Sequence, residues 1–177
     1  MPIDRSFSVP GFGTVVTGTL MDGSFTLGQE VHLEPSGIPA RVRGIQMHKN
    51  KSDKALPGNR VAINLTGVEH GEIKRGDILT IPSTLELSEA FDVHLSVLDD
   101  APNVLKHNMF VTFHHGSSES IVKLRLLEYD TAEPGASTWA QIKCESPLPV
   151  SKGDHLSLIH ISEPTRRSAI SNAVFWM

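Results

Sequence analysis

The sequence predicts an all-β protein made of two consecutive small β-barrels, the second of them incomplete. Three observations carry this. Apolar residues alternate with polar ones along most of the chain. Gly- and Pro-containing turns separate these runs at short intervals. Part of the turn pattern recurs at a fixed offset. No stretch shows an apolar stripe at helical spacing.

The alternation is clearest in four runs. Val61, Ile63 and Leu65 are interleaved with Ala62, Asn64 and Thr66. Phe91, Val93, Leu95 and Val97 are interleaved with Asp92, His94 and Ser96. Val122, Leu124 and Leu126 enclose Lys123 and Arg125, and Ala140, Ile142 and Cys144 enclose Gln141 and Lys143. Each run gives a strand with one apolar face for a core and one polar face for water. Around Gly44 the apolar phase slips, from Val42 to Ile45 and Met47, which predicts a bulge. The turns fall at Asp22-Gly23, Pro57-Gly58-Asn59, Arg75-Gly76-Asp77, Pro134-Gly135 and Lys152-Gly153-Asp154.

Ala55-Leu56-Pro57-Gly58 is echoed by Ala132-Glu133-Pro134-Gly135, and Arg75-Gly76-Asp77 by Lys152-Gly153-Asp154. Both echoes lie 77 positions downstream. Two barrels in series account for this, with a boundary at Pro82-Ser83-Thr84. The division is residues 1–84 for the first barrel, 85–155 for a truncated second, and 156–177 for a separate tail. Loss of closing strands from the second barrel predicts an exposed sheet edge.

The totals exclude several classes. The 177 residues suit one ordinary domain or two small ones, and the composition, 39% hydrophobic and 20% charged, is that of a soluble globular protein. No apolar run is long enough for a membrane span, so no membrane partner is expected. The single cysteine, Cys144, forms no intrachain disulfide, which makes a reducing cytoplasm the default. A net charge of −4 confines any contact with nucleic acid to local patches.

Candidate chemistry is sparse. Gly11-Phe12-Gly13-Thr14 lacks the third glycine of a dinucleotide fingerprint and continues as strand through Val15, Val16 and Thr17. No phosphate loop occurs. Of the nine histidines, His114 and His115 are adjacent on a strand and face opposite ways, so no metal site is expected. No serine sits in a nucleophile elbow, and no catalytic residue is assigned. Asp4-Arg5, opening the first strand beside Phe7, and Arg60, following the Pro-Gly turn, are the candidate binding residues. Arginine presents forked donors suited to anions. On charge alone the better reading of these three residues is a surface ion pair of little energetic weight.

Taken together, these segments resemble a known family. Ile3-Asp4-Arg5-Ser6-Phe7 and Gly11-Phe12-Gly13-Thr14-Val15-Val16-Thr17-Gly18-Thr19 are similar to the opening of the second domain of translational GTPases. So are Gly28-Gln29-Glu30-Val31, Arg41-Val42-Arg43-Gly44-Ile45-Gln46, Gly58 to Gly67, and Arg75-Gly76-Asp77. Leu105-Lys106-His107-Asn108, Val111 to Ser117, Lys123 to Leu127, and Pro147-Leu148-Pro149-Val150 resemble the third domain of the bacterial selenocysteine-specific elongation factors. The alternative is the barrel pair of another translational GTPase of the elongation factor Tu type.

The resemblance implies a function. The barrels would bind the aminoacyl end and stem of selenocysteyl-tRNA for delivery to the ribosome. They would act beside a GTPase domain that lies outside this chain and carries the GTP and magnesium. This chain would hold no cofactor and perform no catalysis. By their motifs, Asp4, Arg5 and Arg60 match the pocket for the selenocysteyl group. A selenol is far more acidic than a serine hydroxyl, so arginine donors would favour its anion over neutral serine. Lys123 and Arg125 would meet the tRNA backbone. Finally, Leu156-Ser157-Leu158-Ile159-His160-Ile161-Ser162-Glu163-Pro164-Thr165-Arg166 resembles the translation of a DNA sequencing adapter. This assigns residues 156–177 to an artefactual tail.

Overall fold

A computed structural model describes residues 1–160 and 169–175, with side chains described for residues 1–159. The chain divides into two compact units, Met1–Leu85 and Glu86–Met177.

The first unit holds nine strands and one short helix. They are β1 (Ile3–Val9), β2 (Gly13–Leu20), β3 (Phe25–Thr26), β4 (Glu30–Glu34), β5 (Ile38–Met47), β6 (Asn50–Ser52), β7 (Lys54–Ala55), β8 (Asn59–Thr66), a 3-10 turn at His70–Glu72, and β9 (Ile78–Thr80). The main sheet runs β1-β2-β8-β5-β4-β9, all antiparallel, with β6 paired to β5. A bridge between Pro2 and Ile78, and the bond from Ile3 N–H to the Asp77 carbonyl (2.8 Å), bring the two ends of the sheet together. The inward residues form one core that includes Ile3, Val16, Leu33, Ile63 and Leu79. The expected bulge is present: the β5–β8 register slips between Val42 and Gly44.

The second unit holds β10 (Leu87–Val97), β11 (Leu105–Lys106), β12 (Met109–His115), β13 (Ser118–Leu126), β14 (Thr131–Ala132), β15 (Ser137–Pro149), β16 (His155–His160) and β17 (Ala169–Phe175). β10-β15-β13-β12-β16-β17 form a closed ring. Its core includes Phe91, Val93, Leu95, Phe113, Leu124 and Ile142. The edge expected to stand open is occupied. β16 pairs with β12, and β17 lies between β16 and β10. Leu156 and Leu158, placed in the tail by the sequence, alternate inward and are buried in this core. Residues 161–168 and 176–177 of that tail lie outside the described residues.

The repeat seen in the sequence recurs as hydrogen bonds. Asp77 accepts from Lys74 N–H and Asp154 from Ser151 N–H, both at 2.8 Å. Gly76 and Gly153 hold positive φ at the same place in each turn, 100° and 89°, which favours glycine there. Gly58 N–H donates to the Leu20 carbonyl (2.8 Å) and Gly135 N–H to the Val97 carbonyl (3.2 Å), again 77 positions apart.

Candidate functional site

Asp4, Arg5 and Arg60 come to the outer face of the first unit, and a bulge in β1 explains how. Ile3 opposes Gly18 and Arg5 opposes Thr17, so Asp4 is the extra residue in the ladder. Ile3 points into the core, while both Asp4 and Arg5 serve the outside. Across the sheet, Thr17 opposes Ala62, and Thr19 opposes Arg60. The Thr17 hydroxyl donates to Asp4 Oδ1 at 2.6 Å. Arg60 grips the same carboxylate with two donors, Nη1 to Oδ2 at 2.5 Å and Nη2 to Oδ1 at 3.2 Å.

The pair is only partly shielded: the Arg60 side chain is 58% exposed and that of Asp4 29%. Partial burial raises the Asp4 carboxyl. The Thr17 hydroxyl, the Arg60 donors and the charges of Arg60 and Arg5 outweigh this and hold it below the ordinary aspartate value. The three side chains therefore sum to one positive charge. Arg60 is committed to Asp4, and among the described residues Arg5 makes no ion pair.

A groove of about 510 Å³ lies on the same face, taking in Ala62 and Gln46 of the Arg5 row and continuing into the next. The rows follow from the register. Arg5, Thr17, Ala62 and Gln46 lie side by side on β1, β2, β8 and β5; Phe7, Val15, Asn64 and Gly44 form the next row. Two residues along a strand span about 7 Å. Phe7, Val15, Asn64, Arg43, Lys51 and Asp53 are among the residues lining the groove, so its walls mix apolar, amide and charged groups. Asn64 Nδ2 donates to the Phe12 carbonyl at 2.8 Å, while Asn64 Oδ1 is buried with no hydrogen-bond partner. A buried acceptor without a donor is costly.

Lys123 and Arg125 belong to the second unit, on the outer face of β13. Lys123 lies directly opposite Lys143, and Arg125 opposite Gln141. Like charges facing each other across strands are destabilising. Between Glu86 and His160 there are five lysines and arginines against eleven acids, yet three of the five gather here. Among the described residues none of the three makes an ion pair.

Comparison with known proteins decides the family. Residues 13–80 match the family pattern of elongation factor Tu domain 2. The chain is 44% identical over 154 residues to the selenocysteine-specific elongation factor of Desulfomicrobium baculatum, covering 87% of this chain and 24% of that protein. It is 35% identical over 157 residues to the protein of that name from Haemophilus influenzae, covering 88% and 25%. The chain belongs to the elongation factor family, in its selenocysteine-specific branch. It spans about a quarter of the length of those two relatives. The fold agrees with the crystal structure of translation elongation factor SelB from Methanococcus maripaludis, at a TM-score of 0.84 and 24% identity, over 100% of this chain and 42% of that one.

Within this elongation factor segment, two of the histidines, His115 and His107, hold structural contacts. His115 Nε2 lies 3.1 Å from Asp154 Oδ2, and His107 Nδ1 lies 2.8 Å from the Leu126 carbonyl oxygen. Partial burial raises the Asp154 carboxyl, but hydrogen bonds from His115 and Ser151 and the charges of His115 and His155 bring it below its ordinary value. Among the described residues no three His, Cys, Asp or Glu side chains are grouped to hold a metal. The one described helix is the three-residue turn His70–Glu72, and Gly13 leads directly into β2. No described helix is long and apolar enough to cross a membrane. Sequence reasoning missed Thr17, Gln46 and Asn64. Each is an unremarkable outward residue on its own strand, and only the cross-strand register gathers them.

Proposed function

We propose that the first barrel of this elongation factor segment holds the aminoacyl end of selenocysteyl-tRNA. The observation that carries the reading is a cationic cluster, Arg5 beside the Asp4–Arg60 pair, next to a groove with an unsatisfied buried amide oxygen. The terminal nucleoside lies in the groove, where Phe7 and Val15 offer apolar surface. The amino-acid side chain then reaches the neighbouring row and meets Arg5 and Arg60.

Asp4 orients Arg60 and cancels one charge, leaving a single positive charge for a selenolate. A neutral serine hydroxyl gains no such attraction. Hydrogen bonds to a charged group stabilise by about 1.5–3 kcal/mol, roughly 10- to 150-fold in affinity. In the second barrel, Lys123 and Arg125 face tRNA phosphates, whose charge would relieve the opposition of Lys123 and Lys143. Delivery to the ribosome in the cytoplasm, and GTP hydrolysis with magnesium by a domain outside this chain, complete the reading.

The test uses the full-length factor. With Arg5→Ala and Arg60→Ala combined, its preference for selenocysteyl- over seryl-tRNA falls by about 10- to 150-fold. Unchanged preference removes the pocket assignment and leaves the elongation factor family standing.

A further inference from the structure

In the second unit, β17 pairs along both edges but brings small residues to the core side of its ladder. Ala173 lies opposite Leu95 of β10 and Leu156 of β16, and Ser171 lies opposite Val97 and Leu158. These four partners belong to the core and are at most 3% exposed. Residues directly opposite in an antiparallel pair share one side of the sheet. Positions 171, 173 and 175 are therefore the core-side positions of the strand, and Phe175, opposite Val93, is the one large residue among them.

The bulkier Ile170 and Val174 hold the other register positions, Val174 opposite His94 and His155. The apolar pattern normally fixes a strand's register, and a slip of one residue exchanges its two sides. Here that slip would bring Ile170 and Val174 to the core side, with Asn172 between them. The ladder with β16 already shifts between Leu158 and Ile159. The flanking strands have no such ambiguity, since Val93, Leu95 and Val97 of β10 and Leu156 and Leu158 of β16 are all buried in the core. The two edges are set firmly and the strand between them is specified weakly.

We propose that the space between β10 and β16 is a strand-acceptor site, which exchanges β17 for an extended peptide carrying branched aliphatic residues at two alternate positions. In strand addition, main-chain hydrogen bonds supply affinity and the alternate side chains supply selectivity. Each added buried methylene is worth about fourfold in affinity. Valine at the positions of Ser171 and Ala173 gives roughly 100-fold together. Tethering gives β17 an effective concentration of about 1 mM. A peptide of identical sequence therefore reaches half-exchange at about 1 mM, and a valine-bearing one at about 10 μM.

The test is an amide-resolved NMR titration of the 177-residue chain with two synthetic peptides. One is Ala-Ile-Ser-Asn-Ala-Val-Phe, the sequence of β17; the other is Ala-Ile-Val-Asn-Val-Val-Phe; both carry two lysines at each end for solubility. The amides of Leu95 and Leu156 report on the site, and those of Val122 and Leu124 on β13, which does not border it, verify the fold. The valine peptide shifts Leu95 and Leu156 with a midpoint about 100-fold below that of the β17 peptide. Placing the same residues in the chain, as Ser171→Val with Ala173→Val, strengthens β17 and raises the valine peptide's midpoint about 100-fold. Equal midpoints for the two peptides, no response at Leu95 and Leu156, or an unchanged midpoint in the double variant overturns the inference. Concentration-dependent dimers without peptide exchange also overturn it, and assign the site to β17 of a second copy.

Discussion

Replacing Gly18 by alanine sets a methyl group against the start of the chain. Gly18 faces inward on β2, opposite Ile3, and a Cβ there collides with the Pro2 carbonyl oxygen and comes within 3.1 Å of Met1 Cγ and of the Pro2 carbonyl carbon. The oxygen belongs to backbone that has little room to yield. Pro2 is bridged to Ile78, Ile3 N–H is bonded to the Asp77 carbonyl, and Leu79 N–H donates to the Met1 carbonyl at 2.9 Å. Overpacking of this kind costs about 1–3 kcal/mol. The lower entropy of an unfolded alanine chain returns about 0.4–1 kcal/mol. A net loss of about 1–2 kcal/mol remains. For a unit the size of Met1–Leu85 this lowers Tm by roughly 5–15 °C. Scanning calorimetry of the chain, with the two units fitted as separate transitions, measures it. A first-unit transition that stays put or rises refutes the claim that Gly18 is required by close backbone approach.

Two further outcomes follow from the packing. The Asp4 carboxyl is held below its ordinary value in the folded state, so its ionised form stabilises the fold above the ordinary aspartate pKa of about 4 and loses that effect as pH falls through the lowered value. Asp4→Asn therefore destabilises by up to about 1 kcal/mol at neutral pH, and the difference closes in acid; urea melts across the pH range that keep a constant gap contradict this. Phe113 is fully buried and meets Phe91 edge-on, with ring centroids 5.8 Å apart. Phe113→Ala lowers the stability of the second unit by about 3–5 kcal/mol, and a calorimetric transition for that unit lowered by less than 1 kcal/mol excludes the packing described.

The parts of the fold legible in the sequence were those set by local chemistry. Alternation located the strands because each has one wet and one dry face, as in Val61–Leu65 and Phe91–Val97. Glycines of positive φ marked the turns, and the matched Asp77 and Asp154 contacts show why the echo at 77 positions carried structural meaning. The slip at Gly44 was readable because apolar phase changes within one strand. The site was much less legible. Strict alternation sends Asp4 and Arg5 to opposite faces, and their association came from family resemblance. The groove joins outward residues of four strands, and Phe12 was visible only as part of a glycine pattern that fails as a phosphate motif. Leu156 and Leu158 were placed in a tail by resemblance, and β16, which carries them, pairs with β12 and β17.

The irregularity at Asp4 has a consequence for how such a site changes over time. A regular strand lends only every second residue to a given surface, so a neighbouring acid and base are normally divided between solvent and interior. One surplus residue in the ladder puts both to use on one side. Gain or loss of a single codon at this point, with every charged side chain retained, would change which of Asp4 and Arg5 lies within reach of Arg60. If the proposed pocket holds, its ligand preference depends on strand length as closely as on residue identity.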